Sequence, residues 1–169
     1  MFYEPKNGHP FKIDPYKALV FPRPIGWISS LSKQGIPNLA PYSYFNAVAD
    51  EPPQVMFCSN GDSAYGGFKD SLSNILSTKE FVVNFATSTT RDAMNISSSN
   101  YKPNEDEFVA ARLKKRKSKL VKAPSVYDSP VNLECKLLKT LKLKTNSKKL
   151  STMVTVSYTH LTLPTNREV

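Results

Sequence analysis

The chain has 169 residues, of which 40% are hydrophobic and 11% aromatic, and its formal net charge is +9. This length suits one domain with a sizeable core, and the composition excludes global disorder. Because the first fifteen residues contain no apolar signal segment and no apolar run could span a bilayer, we expect a cytoplasmic protein without membrane contact.

In chain order, the first predicted elements are a short helix, a hairpin and an apolar strand. Asp14 precedes a proline, and this pair predicts a helix start because aspartate caps helices and proline favours the first helical position. Residues 24–32 predict a strand that enters a turn at Gly35, which supplies backbone freedom. Residues 38–48 predict the returning strand of this hairpin, and residues 53–59 predict the next strand.

Helices and strands then follow each other along the chain. Asp70 is expected to cap a helix that buries an apolar stripe formed by Leu72, Ile75 and Leu76. Residues 81–87 predict a strand whose buried face is formed by Phe81, Val83 and Phe85. Short helices are expected within residues 89–99 and 105–113.

Residues 130–143 alternate between apolar and polar side chains. Apolar residues occupy every second position from Val131 to Leu137, and polar residues occupy the positions from Asn132 to Lys136 between them. This pattern predicts a half-buried strand of an antiparallel sheet. Together, the short strands and the single helices between them predict a mainly β fold, a small β-barrel with inserted helices.

The cysteines and histidines do not predict a metal site. Cys58, Cys135, His9 and His160 lie far apart in the sequence, without the spacing of metal ligands. We expect both cysteines to be small buried hydrophobic residues.

Much of the positive charge lies in residues 112–122 and 136–149. Such segments can form a nucleic-acid footprint or a solvated lysine-rich surface. Because no nucleic-acid motif accompanies the charge, we expect the solvated surface and no nucleic-acid partner. A basic surface also attracts a phosphorylated cofactor by long-range steering.

The sequence lacks the motifs of nucleophilic catalysis, so a cofactor with its own reactivity is the better hypothesis. Lys69 and Ser71 stand at the start of the helix predicted near residue 70, after a loop of small residues. Because unpaired N–H groups and the helix dipole favour anions there, this end could bind a phosphate. An ordinary capped helix with a surface lysine is the alternative.

The uncharged segment 38–48 could form the wall of a site for a heteroaromatic ring with polar edges. Hydroxyl and amide groups come from Asn38, Ser43, Ser29 and Ser30, and flat apolar surface comes from Trp27, Tyr42, Tyr44 and Phe45. A core strand with paired polar groups is the alternative.

Four motifs together resemble the flavin reductase-like family, which has the FMN-binding split-barrel fold. They are Arg-Pro-x-x-Trp-Ile-Ser from Arg23, Asn-Leu-Ala-Pro-Tyr-Ser-x-Phe from Asn38, Asp-x-Pro-Pro from Asp50, and Lys-Asp-Ser-x-x-Asn from Lys69. The resemblance covers about residues 1–155 and includes the later segments Met-Asn-Ile-Ser-Ser from Met94, Asp-Glu-Phe from Asp106 and Ser-Pro-Val-Asn-Leu-Glu-Cys from Ser129. It implies a Greek-key split barrel of FMN-binding type and a homodimer with the flavin near the subunit interface.

The resemblance also implies which residues contact FMN. The flavin ring and ribityl chain would be lined by Trp27, Ile28, Ser29, Ser30, Asn38, Leu39, Ala40 and Ser43. The phosphate would be held by Ser59, Lys69 and Ser71.

The implied chemistry is hydride transfer from NADH or NADPH to the flavin, followed by electron delivery to a small-molecule acceptor. This reaction needs stacking and distance and no protein acid or base. A flavin-binding electron carrier or sensor without nicotinamide activity is the second hypothesis, and a basic nucleic-acid-binding barrel is the third.

Residues 156–169 depart from the family pattern and resemble a translated sequencing adapter. We therefore expect residues 1–155 to form a split-barrel domain that is incomplete at its C-terminus. Residues 156–169 are expected to be a non-native tail that packs little.

Overall fold

A curled antiparallel sheet of seven strands dominates the fold. The computed structural model describes residues 2–145 and 149–162. Its strands are β1 (Gly26–Leu31), β2 (Pro37–Tyr42), β3 (Phe45–Asp50), β4 (Pro53–Asn60), β5 (Glu80–Asn84), β6 (Lys115–Arg116), β7 (Ser125–Val126), β8 (Asn132–Lys142) and β9 (Ser151–Thr162). The large sheet has the order β2-β1-β5-β8-β9-β4-β3, and β6 pairs with β7 in a small second sheet.

Short helical segments precede the first strand and are inserted between later strands, and the sequence predicts the four α-helices among them. They are a 3-10 turn (Pro5–Asn7), α1 (Pro15–Leu19), α2 (Asp70–Thr78), α3 (Arg91–Ile96) and α4 (Glu107–Ala110). The Asp14 side chain caps α1 by accepting a hydrogen bond from the backbone N–H of Tyr16. The predicted Asp70 cap is wrong, because Lys69 occupies the N-cap position without a side-chain bond and Asp70 is already helical.

The predicted hairpin consists of β1 and β2, which pair with Ser30 opposite Asn38. Gly35 lies in the turn with a φ of +83°, where a Cβ would be strained. The returning strand differs from the prediction, because residues 38–48 belong to two strands that break at Ser43 and Tyr44.

That break forces the sheet to curl. Strands β2 and β3 occupy opposite ends of the strand order, yet only Ser43 and Tyr44 separate them. Three Cα–Cα steps span at most about 11 Å, so the two ends of the sheet must approach each other. The Tyr42 ring lies 4.7 Å from the Phe57 ring of β4, and the Tyr44 carbonyl accepts a 2.8 Å hydrogen bond from the Cys58 N–H.

The interior of the curled sheet is the main hydrophobic core. Helix α2 contributes Leu72 and Ile75 to it, with Leu76 packed against its margin, as the predicted stripe requires. Phe81 and Val83 of β5 also lie in this core. The prediction for Phe85 is wrong: its side chain is 37% exposed, because the chain leaves the sheet after Asn84.

Asn132 and Glu134 on the polar face of β8 are buried, which the half-buried strand prediction did not include, and Lys136 on the same face is exposed. The Glu134 carboxylate accepts hydrogen bonds from the backbone N–H groups of Lys119 (2.8 Å), Leu120 (2.6 Å) and Val121 (3.1 Å). The loop that supplies these donors covers this face and also buries Val121 and Ala123 against Val82.

The two cysteines differ in their surroundings. Cys135 is buried in the main core, as predicted. Cys58 is only partly buried, because its side chain lies on the other face of β4 from the core residue Phe57. Among the described residues, no group of three or more His, Cys, Asp and Glu side chains could hold a metal ion.

Strand β9 changes the interpretation of the C-terminal segment. Val156 is fully buried and pairs with Val55 of β4 and Leu137 of β8. The expectation that residues from 156 onward pack little is therefore wrong at this position, and pairing with β8 continues to Thr162. Residues 163–169 lie outside the described part of the chain, and the adapter origin of the tail stays a prediction.

The basic segment 112–122 is partly fastened to the protein surface. Lys115 forms an ion pair with Asp106, and the Arg116 guanidinium lies 5.0 Å from the centre of the Tyr127 ring. The absence of a nucleic-acid partner stays a prediction.

In the part of the chain that the structure describes, no helix is both long and apolar enough to cross a bilayer.

Replacement of Glu134 by alanine is expected to destabilise the fold. The change leaves three backbone N–H groups without their acceptor, and we expect a loss of about 2–4 kcal/mol in the free energy of unfolding. The control is Lys136→Ala, which removes an exposed charge from the same strand. Equal stability of the two variants in urea denaturation would contradict a structural role of Glu134.

Candidate functional site

A cleft of about 440 Å³ opens where the two ends of the sheet meet. Its walls come from β2, from the break at residues 43–44, from the end of β4 and from the start of α2. The segment 97–101 after α3, together with Lys17, Arg23 and Glu107, completes the rim. The curl of the sheet thus brings parts of the chain that lie far apart in the sequence to one site.

Five of the eleven predicted FMN-contacting residues line this cleft: Asn38, Ala40, Ser43, Lys69 and Ser71. The other six are not on its wall, and all of them are buried: Trp27, Ile28, Ser29, Ser30, Leu39 and Ser59. Trp27 and Leu39 pack beneath the cleft with Phe108, and Ile28 belongs to the main core. Flavin contact stays a prediction for all eleven.

The buried side chains still shape the cleft from behind. The Trp27 indole donates a 2.9 Å hydrogen bond to Ser97 Oγ, and Ser97 begins the segment that lines one wall. Ser29 Oγ donates to the carbonyl of Pro124 at 2.6 Å. Ser59 Oγ is buried without a hydrogen-bond partner among the described residues.

The Asn38 amide is the centre of a buried hydrogen-bond network. Asn38 Oδ1 accepts hydrogen bonds from Ser71 Oγ at 2.7 Å and from Ser30 Oγ at 3.3 Å. Asn74 Nδ2 of α2 donates to Ser30 Oγ at 3.1 Å, which extends the network to a second residue of that helix. The network joins β1, β2 and α2 at the base of the cleft.

Glu107 closes the network from the opposite side. Its Oε1 accepts a 2.6 Å hydrogen bond from Asn38 Nδ2, and its Oε2 accepts a 3.0 Å bond from the Leu39 backbone N–H. Burial raises the pKa of the Glu107 carboxyl to about 7, because desolvation disfavours the charged form. The site therefore contains a carboxyl group that titrates near neutral pH.

Both cationic and acidic side chains line the cleft: Lys17, Arg23 and Lys69, and Asp62, Asp70 and Glu107. Lys69 is half-buried there, its pKa is lowered by desolvation, and it forms no ion pair with a described carboxylate. Arg23 Nη1 donates to the carbonyl of Lys17 at 2.8 Å, and Arg23 Nε is buried without a partner among the described residues. These groups can receive an anionic or carbonyl-bearing ligand.

The match to known proteins agrees with this architecture. The family model described as flavin reductase like domain matches residues 18–168. The chain belongs to the flavin reductase-like family.

Relatives and solved structures extend the match. An uncharacterised protein of Aquifex aeolicus is 48% identical over 123 residues, which are 72% of this flavin reductase-like chain and 62% of that protein. The chain spans about three fifths of the length of the first curated relatives it matches. Component B of nitrilotriacetate monooxygenase from Bacillus cereus has a TM-score of 0.84 and 29% identity, over 96% of this chain and 81% of that chain.

The split-barrel fold is confirmed by a further solved structure. A protein of Shewanella frigidimarina, described as having a split barrel domain, has a TM-score of 0.74 over 85% of this chain and 68% of its own. Its identity to this flavin reductase-like chain is 20%, so it bears on the fold alone.

Several cleft residues were missing from the contacts predicted by sequence. They include Arg23, Glu107 and the segment 97–101. Arg23 carried a usable signal, since it opens the Arg-Pro motif. Glu107 lies in the segment Asp-Glu-Phe at 106–108, which belongs to the family resemblance, but only the packing of α4 on β2 buries it beside the cleft.

The pKa of Glu107 predicts a pH-dependent stability. The folded state binds the proton more tightly than the unfolded state, whose ordinary pKa is 4.5, so rising pH between 4.5 and about 7 destabilises the protein. Each pKa unit is worth about 1.4 kcal/mol. We expect the unfolding free energy of wild type, minus that of Glu107→Gln, to fall across this window. Denaturation curves at several pH values would measure it, and parallel curves would contradict the assignment.

Proposed function

We propose that this chain binds FMN in the cleft and uses NADH or NADPH to reduce flavin or a small-molecule acceptor. The observation that carries the proposal is a cleft in which the wall from residues 38–44 is uncharged and partly aromatic and Lys69, which has no ion pair among the described residues, lies at the start of α2. Membership of the flavin reductase-like family supports a flavin as the ligand. The name of the Bacillus cereus structure, a monooxygenase component, is consistent with a role in redox chemistry.

The residues present fit FMN. The cleft volume of about 440 Å³ falls within the range of small-molecule sites. Tyr42 and Tyr44 supply aromatic surface to the wall, and burial raises the pKa of Tyr42 to about 12, so this phenol stays neutral. Arg23 Nε is a buried donor that lacks an acceptor among the described residues.

Lys69 is the best candidate for the phosphate end. Its ammonium group is half-buried and stands at the N-cap of α2, whose nine residues give the helix a positive end. Ser71 lines the cleft at the start of α2, and its hydroxyl donates to Asn38 Oδ1. We therefore assign phosphate binding to Lys69 and to the free backbone N–H groups of α2.

Bound flavin would supply the hydride and electron chemistry, which the protein side chains lack. The chain itself would orient the ring system with the fixed Asn38 amide and keep water from one face with the tyrosine wall. No side chain in the cleft has to act as a nucleophile. A site in which the cofactor supplies the reactivity and the protein supplies binding agrees with the lack of nucleophile motifs in the sequence.

A homodimer is part of the proposal. The N-terminal segment presents large apolar side chains to solvent, including Leu19, which is 79% exposed, and Phe21, which is 77% exposed. Strand β3 ends the sheet order among the described residues and is exposed beyond Phe45. A second copy of the chain would cover these surfaces. Light scattering that gives the mass of one 18.9 kDa chain would contradict the dimer.

Replacement of Lys69 by glutamine is expected to weaken FMN binding much more than riboflavin binding. Loss of a charge-assisted phosphate contact costs about 1.5–3 kcal/mol, which is roughly a 10- to 100-fold rise in Kd. Riboflavin lacks the phosphate and should lose little. Lys139→Gln on the exposed face of β8 is the matched control, and flavin fluorescence quenching is the measurement. Equal losses for both ligands would place the phosphate elsewhere.

Anaerobic reduction tests the oxidoreductase proposal itself. The purified protein is loaded with FMN, and NADH or NADPH is added without oxygen. Loss of the flavin absorption near 450 nm is the expected result, since a bound nicotinamide would transfer hydride to the ring. If dithionite reduces the bound flavin but neither NADH nor NADPH does, the result would favour the electron-carrier or sensor hypothesis. Failure to bind any flavin would overturn the proposal.

A further inference from the structure

The hydrogen-bonding capacity of the Asn38 amide is almost fully used inside the protein. Its Oδ1 accepts from two hydroxyls, those of Ser71 and Ser30, and a carbonyl oxygen has two lone pairs. One of its two N–H bonds goes to Glu107. Asn38 lines the cleft, so its second amide N–H remains available to donate a hydrogen bond to a ligand.

Glu107 determines this orientation of the amide. An ionised carboxylate only accepts hydrogen bonds, so it selects the Nδ2 side of Asn38 and the N–H of Leu39. The hydroxyls of Ser71 and Ser30 impose no orientation of their own, because each can donate or accept. Without an acceptor at Glu107, the amide could turn and present its oxygen to the ligand.

We propose that Glu107 is a positioning residue: its ionised carboxylate holds the Asn38 amide with its free N–H available to the flavin. The inference rests on the proposed flavin function of the cleft. The ionisation of Glu107 then decides whether Asn38 offers the ligand a hydrogen-bond donor or an acceptor. The polar edge of oxidised flavin carries the C2 and C4 carbonyls and the ring nitrogens N1 and N5 as acceptors, and N3–H is its single donor. Because acceptors predominate, we expect the donor form of the amide to bind flavin better.

Protonation of Glu107 should therefore compete with flavin binding. A carboxylic acid at this position donates from one oxygen, and the donor favours the turned amide, with Oδ1 toward Glu107. Since the Glu107 carboxyl titrates near pH 7, the two forms exchange in the neutral range. Ligand binding and proton release are then linked, and the linkage is reciprocal.

Other ionisable groups surround Glu107 and have to be separated from it. They lie on the neighbouring elements: Asp70 and Lys69 at the start of α2, Tyr42 on β2, and the Asp106–Lys115 pair beside α4. Burial keeps Tyr42 neutral over this range, and the desolvated Lys69 remains a cation. Asp70 raises the pKa of Glu107 by repulsion, so Asp70→Asn should lower the midpoint without abolishing the pH step.

Riboflavin is the probe, because its lack of a phosphate removes a second group that titrates near pH 6. We expect wild-type affinity for riboflavin to fall about sevenfold between pH 8 and pH 5.5, most of the tenfold change that one lost hydrogen bond would cause. Glu107→Gln should bind about tenfold more weakly at pH 8 and show no pH step. The amide N–H of the introduced glutamine would donate to Asn38 Oδ1 and would hold the Asn38 amide in the turned orientation at every pH. Asn38→Ala should be equally weak and flat.

A measurement on wild type alone covers the case in which Glu107→Gln does not fold. A tenfold coupling lowers the Glu107 pKa in the complex by one unit, so riboflavin binding at pH 6.5 should release about half a proton. Calorimetry in buffers of different ionisation enthalpy measures this release. Riboflavin binding without proton release, or a pH step that survives in Glu107→Gln, would overturn the role of Glu107 alone. Absence of binding at every pH would overturn the proposed function together with it.

Discussion

The bond between Glu107 and the chain at Asn38 and Leu39 is the interaction on which the site depends. Among the described residues, strand β2 ends the sheet order and has β1 as its one strand neighbour. On its free side, the Glu107 carboxylate takes the Leu39 N–H that another strand would otherwise accept. An edge strand with unpaired backbone groups invites non-native pairing, and α4 protects β2 by covering this edge.

The Glu107 carboxylate links the edge of β2 to the proposed ligand site. Because it also holds Asn38 Nδ2, the edge strand is fixed together with the amide that faces the cleft. Burial costs Glu107 solvation, as its raised pKa shows. Glu134 uses the same principle without a ligand site, since its carboxylate organises the backbone of the loop that covers β8. In a strongly basic chain, two buried acids thus fix the backbone at two separate places.

The curl of the sheet decides where the cleft lies. Two residues connect the strands at opposite ends of the sheet order, so those ends meet, and the connecting residues become part of the cleft wall. Helix α2 fills the barrel with Leu72 and Ile75 and points its N-terminus, with Lys69, into the same opening. Packing of the barrel core and placement of a cationic ligand end are therefore achieved by one helix.

The amino-acid sequence by itself determined the elements whose signals are local. The Asp14 cap, the turn at Gly35, the stripe of α2 and the alternation of β8 each depend on neighbours within a few residues, and the motifs around Asn38 and Lys69 indicated the family. Tertiary structure alone decided the rest. It divided residues 38–48 between two ends of one sheet, buried Trp27, Ile28 and Ser59 behind the cleft, and brought Glu107 against Asn38 across 69 positions. Such contacts depend on how a sheet curls and which helix covers its edge, and local periodicity carries no information about either.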